Sequence, residues 1–415
     1  MSDIPQLTDG QSVDVVIIGG GVAGSSLATV LASSGLEVVL VERDPEFRDR
    51  IRGESIHPWG VRELNGLGLR AAIADEAGGI ELPFWTRFRD AAPAERFAWS
   101  DIVPGSPGVM SVRHPIMQSA LLNAARDAGA HVFRPATAGP WREGSQLGVS
   151  INYGAGEIEV RCRLIVGADG KRSAIRGWIG GTAQQDPVHH AIGGAIITGI
   201  DLPQDSAYQA YFPGGGGFAM IYPQTGGTSR IYYVCPVDEA AELQRAEEPA
   251  SIVERVQKAL PDGTIGAWES QGPAGFFPNA NIKVDRIHAP GVLLIGDAAG
   301  ANDPTQGHGL SLVFRDVREV RDLLNATSDW RGVPAQFART RQTYFEVLRQ
   351  HAHWSEPLLT DVGPEAEALQ ARIARARELD PSAGGFAPIF ATGPDGLIAD
   401  DAARRHFLGE DLPDA

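Results

Sequence analysis

Residues 13–42 constrain what this chain can fold into more than any other stretch. An apolar run, Val13-Asp14-Val15-Val16-Ile17-Ile18, leads into Gly19-Gly20-Gly21-Val22-Ala23-Gly24. Small residues continue to about Ser34, Gly35 closes the segment, and a second apolar run over 38–41 ends in Glu42. The order is strand, turn, helix, strand, with Gly19, Gly21 and Gly24 in the G-x-G-x-x-G spacing. Gly19 permits a tight turn, Gly21 lets a pyrophosphate approach the backbone, and Gly24 lets helix and strand pack closely. The helix N-terminus offers free N–H groups and a partial positive charge to phosphates. Glu42 is placed to bind ribose hydroxyls. An isolated glycine turn would lack the strand, helix and acid around it, so the stretch predicts an adenine dinucleotide, either NAD or FAD.

Composition removes several classes of partner. At 415 residues the chain has room for two or three domains. Its net charge of −16 argues against nucleic acid or an anionic membrane surface. No apolar run reaches the roughly 18 residues of a membrane span, and the first twelve residues carry no leader pattern. Cys162 and Cys235 stand far apart in no metal-type spacing, so neither a disulfide framework nor a metal site is expected. A cytoplasmic protein is expected.

Further along, Arg50-Ile51-Arg52-Gly53-Glu54-Ser55-Ile56-His57-Pro58 reads as a solvated loop, or as one in which Arg52 and Glu54 flank a polar cofactor. Residues 59–69 suggest a helix, and the aromatic-rich 80–104 suggests strands outside the dinucleotide core. Arg113-His114-Pro115 opens a helix that Gly129 stops, 130–135 is a strand, and 141–162 alternates like a hairpin. A second buried run, Leu164-Ile165-Val166-Gly167, delivers Ala168-Asp169-Gly170 onto a turn. Asp169 there either binds a ligand or caps the helix that follows. Residues 185–285 change character, with many short β-type runs and one acidic helix over about 239–260, which predicts a mostly antiparallel second domain. His189-His190 reads as loop. A third buried run, 291–295, ends in Gly296-Asp297-Ala298-Ala299-Gly300 and continues Ala301-Asn302-Asp303-Pro304-Thr305-Gln306-Gly307-His308-Gly309-Leu310 into a helix. The tail is expected to be helical to about 379 and loop-like beyond, covering the sheet or forming an oligomer surface such as a homodimer's.

These three stretches resemble the fingerprints of the FAD-dependent single-component flavoprotein monooxygenases, the para-hydroxybenzoate hydroxylase-like family, over roughly residues 10–325. The resemblance implies an α/β fold. A Rossmann-like FAD domain (1–78, 111–184 and 286–345) would carry an inserted antiparallel substrate domain (79–110 and 185–285) and a C-terminal helical segment (346–415). It implies non-covalent FAD, with NAD(P)H as transient reductant and no second nucleotide domain. By position, the cofactor set is Gly19, Gly21, Val22, Ala23, Gly24, Glu42, Arg43, Arg52, Arg113, Asp169, Gly170, Asp297, Gly307, Gly309 and Leu310. Glu42 would hold the adenosine ribose and Asp297 the ribityl chain. Arg230 resembles the arginine that meets the flavin from the substrate sheet, and Pro304 would sit by the substrate.

The implied reaction uses NAD(P)H and O2 to hydroxylate an aromatic or other electron-rich small molecule through a C4a-hydroperoxyflavin. Because the cofactor carries that chemistry, few conspicuous catalytic side chains are expected. Candidates lining the cavity are His57, Tyr211, Tyr222 and Tyr232 with Arg230, and His308 lies beside the expected flavin. A tyrosine or histidine there can deprotonate a phenol, although tyrosines on strands are as often packing residues. The motif also departs from the family: Gly300, Asp303 and Ser311 replace its usual histidine, proline and asparagine. Two other flavoenzyme types are considered. A halogenase is disfavoured because Gly217-Phe218-Ala219-Met220-Ile221-Tyr222-Pro223 lacks the tryptophans of that signature. A geranylgeranyl-reductase-like enzyme would differ by consuming no oxygen.

Overall fold

Alternating apolar residues on Ser12–Ile18 explain why this strand sits at the centre of a sheet. Val15 and Ile17 enter one hydrophobic cluster, and Val16 and Ile18 enter another on the opposite face. A strand buried on both faces needs such a continuous apolar run. The computed structural model describes residues 7–411, apart from 52, 145, 155, 213, 246–248, 381, 385 and 386. In it, Val292–Leu294, Gly156–Gly167, Ser12–Ile18, Val38–Val41 and His131–Phe133 run parallel in that spatial order. His288–Ala289 adds an antiparallel edge. The hairpin of Ala136–Glu143 and Gln146–Tyr153 pairs with the first half of Gly156–Gly167. Helices Val22–Ser33, His114–Asp127 and Gly309–Asn325 pack their apolar faces on the same side of this sheet.

Two glycines of the first motif are fixed by close approach. A Cβ at Gly19, where φ is +107°, would lie 2.4 Å from the Ala168 carbonyl oxygen, and one at Gly24 would lie 1.9 Å from that of Gly19. A side chain at Gly19 would push the first motif off the second, and one at Gly24 would push the helix off its own strand and turn.

The second sheet has seven strands, with Phe218–Gln224 and Thr228–Pro236 near its middle. All its pairings are antiparallel except that of Ser206–Tyr211 with Phe84–Arg89. Period-two alternation divides its side chains. Ala219, Ile221, Ile231 and Tyr233 pack with residues of helix Pro249–Gln257. Phe218, Met220, Tyr222 and Tyr232 face the other way and cluster with Trp85, Trp99 and Ala391.

Of the acidic stretch expected to be helical over 239–260, Val237–Arg245 and Pro249–Gln257 are helix, and 246–248 lie outside the described residues. Two expectations change. Beyond 379 the tail is not simply loop, because Ala387–Thr392 and Asp401–Phe407 are helical. Asp400 caps the latter by accepting the Ala403 N–H. His190 is no loop residue; it begins the strand His190–Ile197 and is fully buried. Helix Val333–Ser355 runs unbroken through residue 345. Among the described residues no helix is long and apolar enough to cross a membrane.

A buried ion pair ties the second sheet to the segment ahead of Pro58–Gly66. Arg230, on Thr228–Pro236, donates from Nε to Glu54 Oε2 at 2.9 Å and from Nη2 to Oε1 at 3.1 Å, and both side chains are wholly buried. Glu54 is therefore neither solvated nor facing open space. Burial pushes its carboxyl up, but Arg230, the His114 N–H and the Gln224 amide outweigh this and hold it below the usual carboxylate range. Replacing Glu54 with leucine strands the guanidinium and should destabilise the protein by about 3–5 kcal/mol. The double variant Glu54→Leu/Arg230→Met should lose clearly less, and urea unfolding of the native protein, Glu54→Leu, Arg230→Met and the double variant tests this.

Candidate active site

The first phosphate-type site forms where Val22–Ser33 begins. Gly21 is its N-cap and supplies no side chain to the free N–H groups, and no acid lies in the first turn. A Cβ on Gly21 would meet nothing nearer than Gln118 Nε2 at 3.8 Å, so the backbone there is open to a ligand. Val22 and Ala23 form the first turn and are buried. Glu42 ends the neighbouring strand; its Oε2 accepts the Gly20 N–H at 2.6 Å and Oε1 accepts that of Asp44 at 2.7 Å. These bonds aim the carboxylate and leave each oxygen a second lone pair. Arg43 points outward, with its side chain 72% exposed and near Asp44. Arg52 lies outside the described residues.

Asp169 fulfils the capping role. Its Oδ2 accepts the N–H groups of Ala174 and Ile175, at 2.6 and 3.3 Å, ahead of the short helix Ala174–Trp178. Its Oδ1 is buried with no partner, so a cap alone does not use the whole carboxylate. Gly170 follows in the left-handed region at φ +78°. Arg113 is the N-cap residue of His114–Asp127, and its side chain reaches Asp49 and the Gln271 carbonyl.

Asp297 opens a short helical turn at the end of Val292–Leu294, and no hydrogen bond of its carboxylate is seen among the described residues. Pro304 starts a second turn, Asp303 accepts the Thr305 N–H, and Gly307 at φ +68° closes it. His308, Gly309 and Leu310 then begin Gly309–Asn325, which lacks a side-chain cap and has open space over Gly309. A second uncapped helix N-terminus thus sits beside an unengaged carboxylate, as a cofactor with an anionic end and hydroxyl groups requires.

Two networks behind this loop were not read from the sequence. From Val333–Ser355, the buried Arg341 donates to Asp316 through Nε, to the Ala299 carbonyl through Nη1, and to those of Gly296 and Gly300 through Nη2. Asp316 accepts the Gly296 N–H at 2.7 Å and the Tyr344 hydroxyl at 2.6 Å. From the other sheet, His190 Nε2 lies 2.7 Å from Thr305 Oγ1 and 3.2 Å from Asp303 Oδ2, Asn279 also bonds Thr305, and Asn281 accepts the Asp303 N–H. Asp303, where the family has a proline, therefore ties the loop to the second sheet. Only the partners, distant in sequence, identify these residues.

The substrate-side candidates come together unequally. Tyr222 and Tyr232 are buried on one face, 6.0 Å apart edge to face, and Tyr222 lies 6.3 Å from Trp85. Burial pushes the Tyr222 hydroxyl up to about 12, against a smaller pull from Ser55. Burial raises Tyr232 also, with Arg230 opposing. Tyr211 is set aside from them against Phe218, under the Arg89 guanidinium. Arg230 is wholly engaged with Glu54 except for Nη1, which is buried without an acceptor. His57 donates its backbone N–H to Ser311 and holds Nε2 2.8 Å from the Gln306 carbonyl, so Nε2 carries the proton. Its ring lies 5.1 Å from that of His308.

Burial lowers the His57 pKa to about 4, the Gln306 carbonyl only partly opposing this. Burial, then His57 and His351, lowers His308 well below its ordinary value. Since both folded-state pKa values are depressed, their stabilising effect is complete above the unfolded value of about 6.5. It is lost as pH falls toward 4. Urea midpoints should drop across that window, and His57→Gln should remove on the order of 3 kcal/mol of the drop.

Arg341→Lys keeps the charge toward Asp316 but cannot serve three carbonyls. It should weaken FAD binding roughly tenfold, about 1.4 kcal/mol, in fluorescence titrations of the apoprotein.

Comparison with known proteins agrees with the cofactor geometry. The family model described as "FAD binding domain" matches residues 12–333. Squalene epoxidase 3 of Arabidopsis thaliana is 28% identical over 340 residues, covering 77% of this chain and 61% of the plant protein. The chain thus spans about three-fifths of that relative's length. The digeranylgeranylglycerophospholipid reductase of Methanosarcina mazei is 27% identical over 307 residues, 72% of this chain and 71% of the reductase. The crystal structure of p-nitrophenol 4-monooxygenase PnpA from Pseudomonas putida DLL-E4 superposes with a TM-score of 0.73 at 18% identity, covering 96% of this chain and 97% of PnpA. With its dinucleotide-binding motifs assembled on this fold, the chain belongs to the FAD-binding domain family.

Proposed function

We propose that this chain uses FAD, NAD(P)H and O2 to hydroxylate an electron-rich small molecule, an aromatic ring foremost. One observation carries the reading: the second sheet turns a dry aromatic face, Trp85, Tyr222 and Tyr232, toward the segment that also touches the cofactor loop. That segment is 54–57. Tyr222 bonds Ser55, Tyr232 bonds the Glu54 backbone, and His57 bonds Gln306.

Bound FAD supplies electron transfer and oxygen activation, and the chain supplies binding, orientation and exclusion of water. In this reading Gly19, Gly21, Gly24 and the first turn of Val22–Ser33 receive the pyrophosphate, Glu42 the adenosine ribose, and Asp297 the ribityl hydroxyls. The start of Gly309–Asn325 favours negative charge beside it by about 0.3–2 kcal/mol. Asp169 Oδ1 and Arg113 border the cofactor cleft. Pro304 forms the substrate's edge of the loop. Arg230 Nη1 and the tyrosine hydroxyls donate to a substrate oxygen. None of these tyrosines serves as a base near neutral pH, because burial keeps each protonated. His57 is too weak a base for an ordinary phenol, and its Nε2–H, given to the Gln306 carbonyl, holds the loop instead.

A second reading is reduction of an alkene, favoured by the likeness to the archaeal reductase. Oxygen separates the two. The FAD-loaded protein would be mixed with NADH or NADPH and a panel of phenols, heteroaromatics and polycyclic compounds under ¹⁸O2. At least one compound should speed flavin reduction roughly tenfold or more and emerge with one labelled oxygen atom. Unlabelled products with a saturated double bond would sink the proposal in favour of the reductase.

A further inference from the structure

His189 and His190 stand between two carboxylates that come from separate parts of the fold. His190 opens the strand His190–Ile197 and is fully buried, whereas the His189 side chain is partly exposed. On the inner side, His190 Nε2 lies 2.7 Å from Thr305 Oγ1 and 3.2 Å from Asp303 Oδ2. Between the rings, Nδ1 faces Nδ1 at 3.3 Å, with the planes 71° apart. On the outer side, His189 Nε2 lies 3.0 Å from Oδ1 of Asp361, in the tail ahead of the helix Pro364–Leu379. A continuous row of contacts thus runs from the surface to the turn of the 296–309 loop, and every ring nitrogen of the pair takes part.

We infer that His189 and His190 hold one proton more than two neutral imidazoles, shared along this row, and that the shared proton makes them positioning residues for the loop that receives FAD. The consequence for FAD rests on the reading above, which sets that loop against the cofactor.

The proton count follows from the contacts. An ionised carboxylate oxygen only accepts, so each Nε2 must carry a proton, since a bare nitrogen at 3.0 or 3.2 Å would set lone pair against lone pair. The facing Nδ1 atoms need one proton between them: two bare nitrogens repel, and two N–H groups collide at 3.3 Å. The row therefore takes three protons, one at each end and one at its centre, whereas two neutral imidazoles bring two. One ring is an imidazolium, and the pair titrates as a unit rather than as two separate sites. The positive charge answers Asp303, whose buried carboxylate otherwise has the Thr305 N–H but no cation.

Other charged groups described near the pair do not supply that cation. Glu356 acts on both His189 and Asp303; burial pushes its carboxyl up, with His353 and then His189 opposing. Arg349 is spent on Asp186 and Glu346, at 3.0 Å each. From the second sheet's side, Asn279 brings only an amide, given to Thr305. As pH rises and the shared proton leaves, two lone pairs meet, either at a carboxylate or between the rings. His190 then cannot keep its place on the Asp303–Thr305 turn.

Ring-nitrogen NMR of the FAD-loaded protein labelled with ¹⁵N-histidine counts the protons, with His189→Gln and His190→Gln identifying the signals. From about pH 9 down to about pH 5.5 the pair should take up one proton, not two, and leave one ring nitrogen bare. Asp361→Asn, whose amide can donate to His189 Nε2, should take up that proton roughly tenfold less readily at a given pH. FAD titrated into the apoprotein gives the second readout. The native protein should bind FAD roughly tenfold more tightly at about pH 6 than at about pH 9. His189→Gln, whose amide can donate to His190 Nδ1 at every pH, should vary by less than about threefold, and His190→Ala should bind weakly throughout. Uptake of two independent protons, or of none, would overturn the inference. So would a His189→Gln protein whose FAD affinity falls with pH as the native one's does. If the proton count holds but His190→Ala binds FAD like the native protein, the loop's assignment to the cofactor is what fails.

Discussion

Neither member of the Glu54–Arg230 pair can be buried alone, and this fixes how the two sheets meet. Arg230 belongs to the second sheet, whereas Glu54 belongs to the segment between the first sheet and Pro58–Gly66. The carboxylate also accepts the His114 N–H and the Gln224 amide, so it ties a helix start and a neighbouring strand to the same point. From Glu54 the segment reaches Ser311 and Gln306 within three residues, through His57. Buried ion pairs often add little net stability over apolar replacements. Here the pair's value lies in register, since any slip of Thr228–Pro236 by one residue would turn Arg230 to the opposite face and leave Glu54 unmatched.

With the sheets so placed, the loop 296–309, proposed to meet the cofactor, still has to be held with only two short helical turns of its own. Arg341 and Asp316 bind its carbonyl and N–H groups from the helical side, and His190, Asn279 and Asn281 hold its Asp303–Thr305 turn from the second sheet. A cofactor that carries the chemistry needs its contacts positioned more than it needs reactive side chains, and rigid supporting networks provide that. The networks are not fully saturated. Both polar atoms of Asn302 and the Asn279 oxygen are buried without protein partners. Such atoms are sites for internal water.

The parts legible in the sequence are those where local chemistry and fold coincide. Val13 to Ile18, the three glycines and Glu42 are contiguous, and their periodicity and spacing follow from the backbone alone. The same holds for Asp169 and Asp297, each at the end of an apolar strand. Arg230 is marked by the family resemblance, yet its partner is not, because 176 residues separate it from Glu54. Arg341 gave no signal, since an arginine on a long amphipathic helix is usually solvated. His190 reads as loop from its own neighbours, and only pairing with Thr228–Pro236 makes it a strand residue. Asp361 was the least legible, as no local pattern marks a tail residue that folds back onto the ring of His189.

Burial drives the titratable groups of this cleft toward their neutral forms. The tyrosine hydroxyls are pushed up and the imidazoles down, while Glu54 and Arg230 cancel each other. A cleft so neutral near pH 7 has little capacity for general acid or base work by its own side chains. Its side chains are instead packed out of water, where hydrogen bonds count for more than in solvent. In the proposed reaction the reactivity would then come from the cofactor and from the substrate's own electron density. This also explains how the loop can exchange the family's proline for Asp303 without adding a reactive acid to the cleft. Its carboxylate is turned away to the Thr305 N–H and His190, where it fixes the loop.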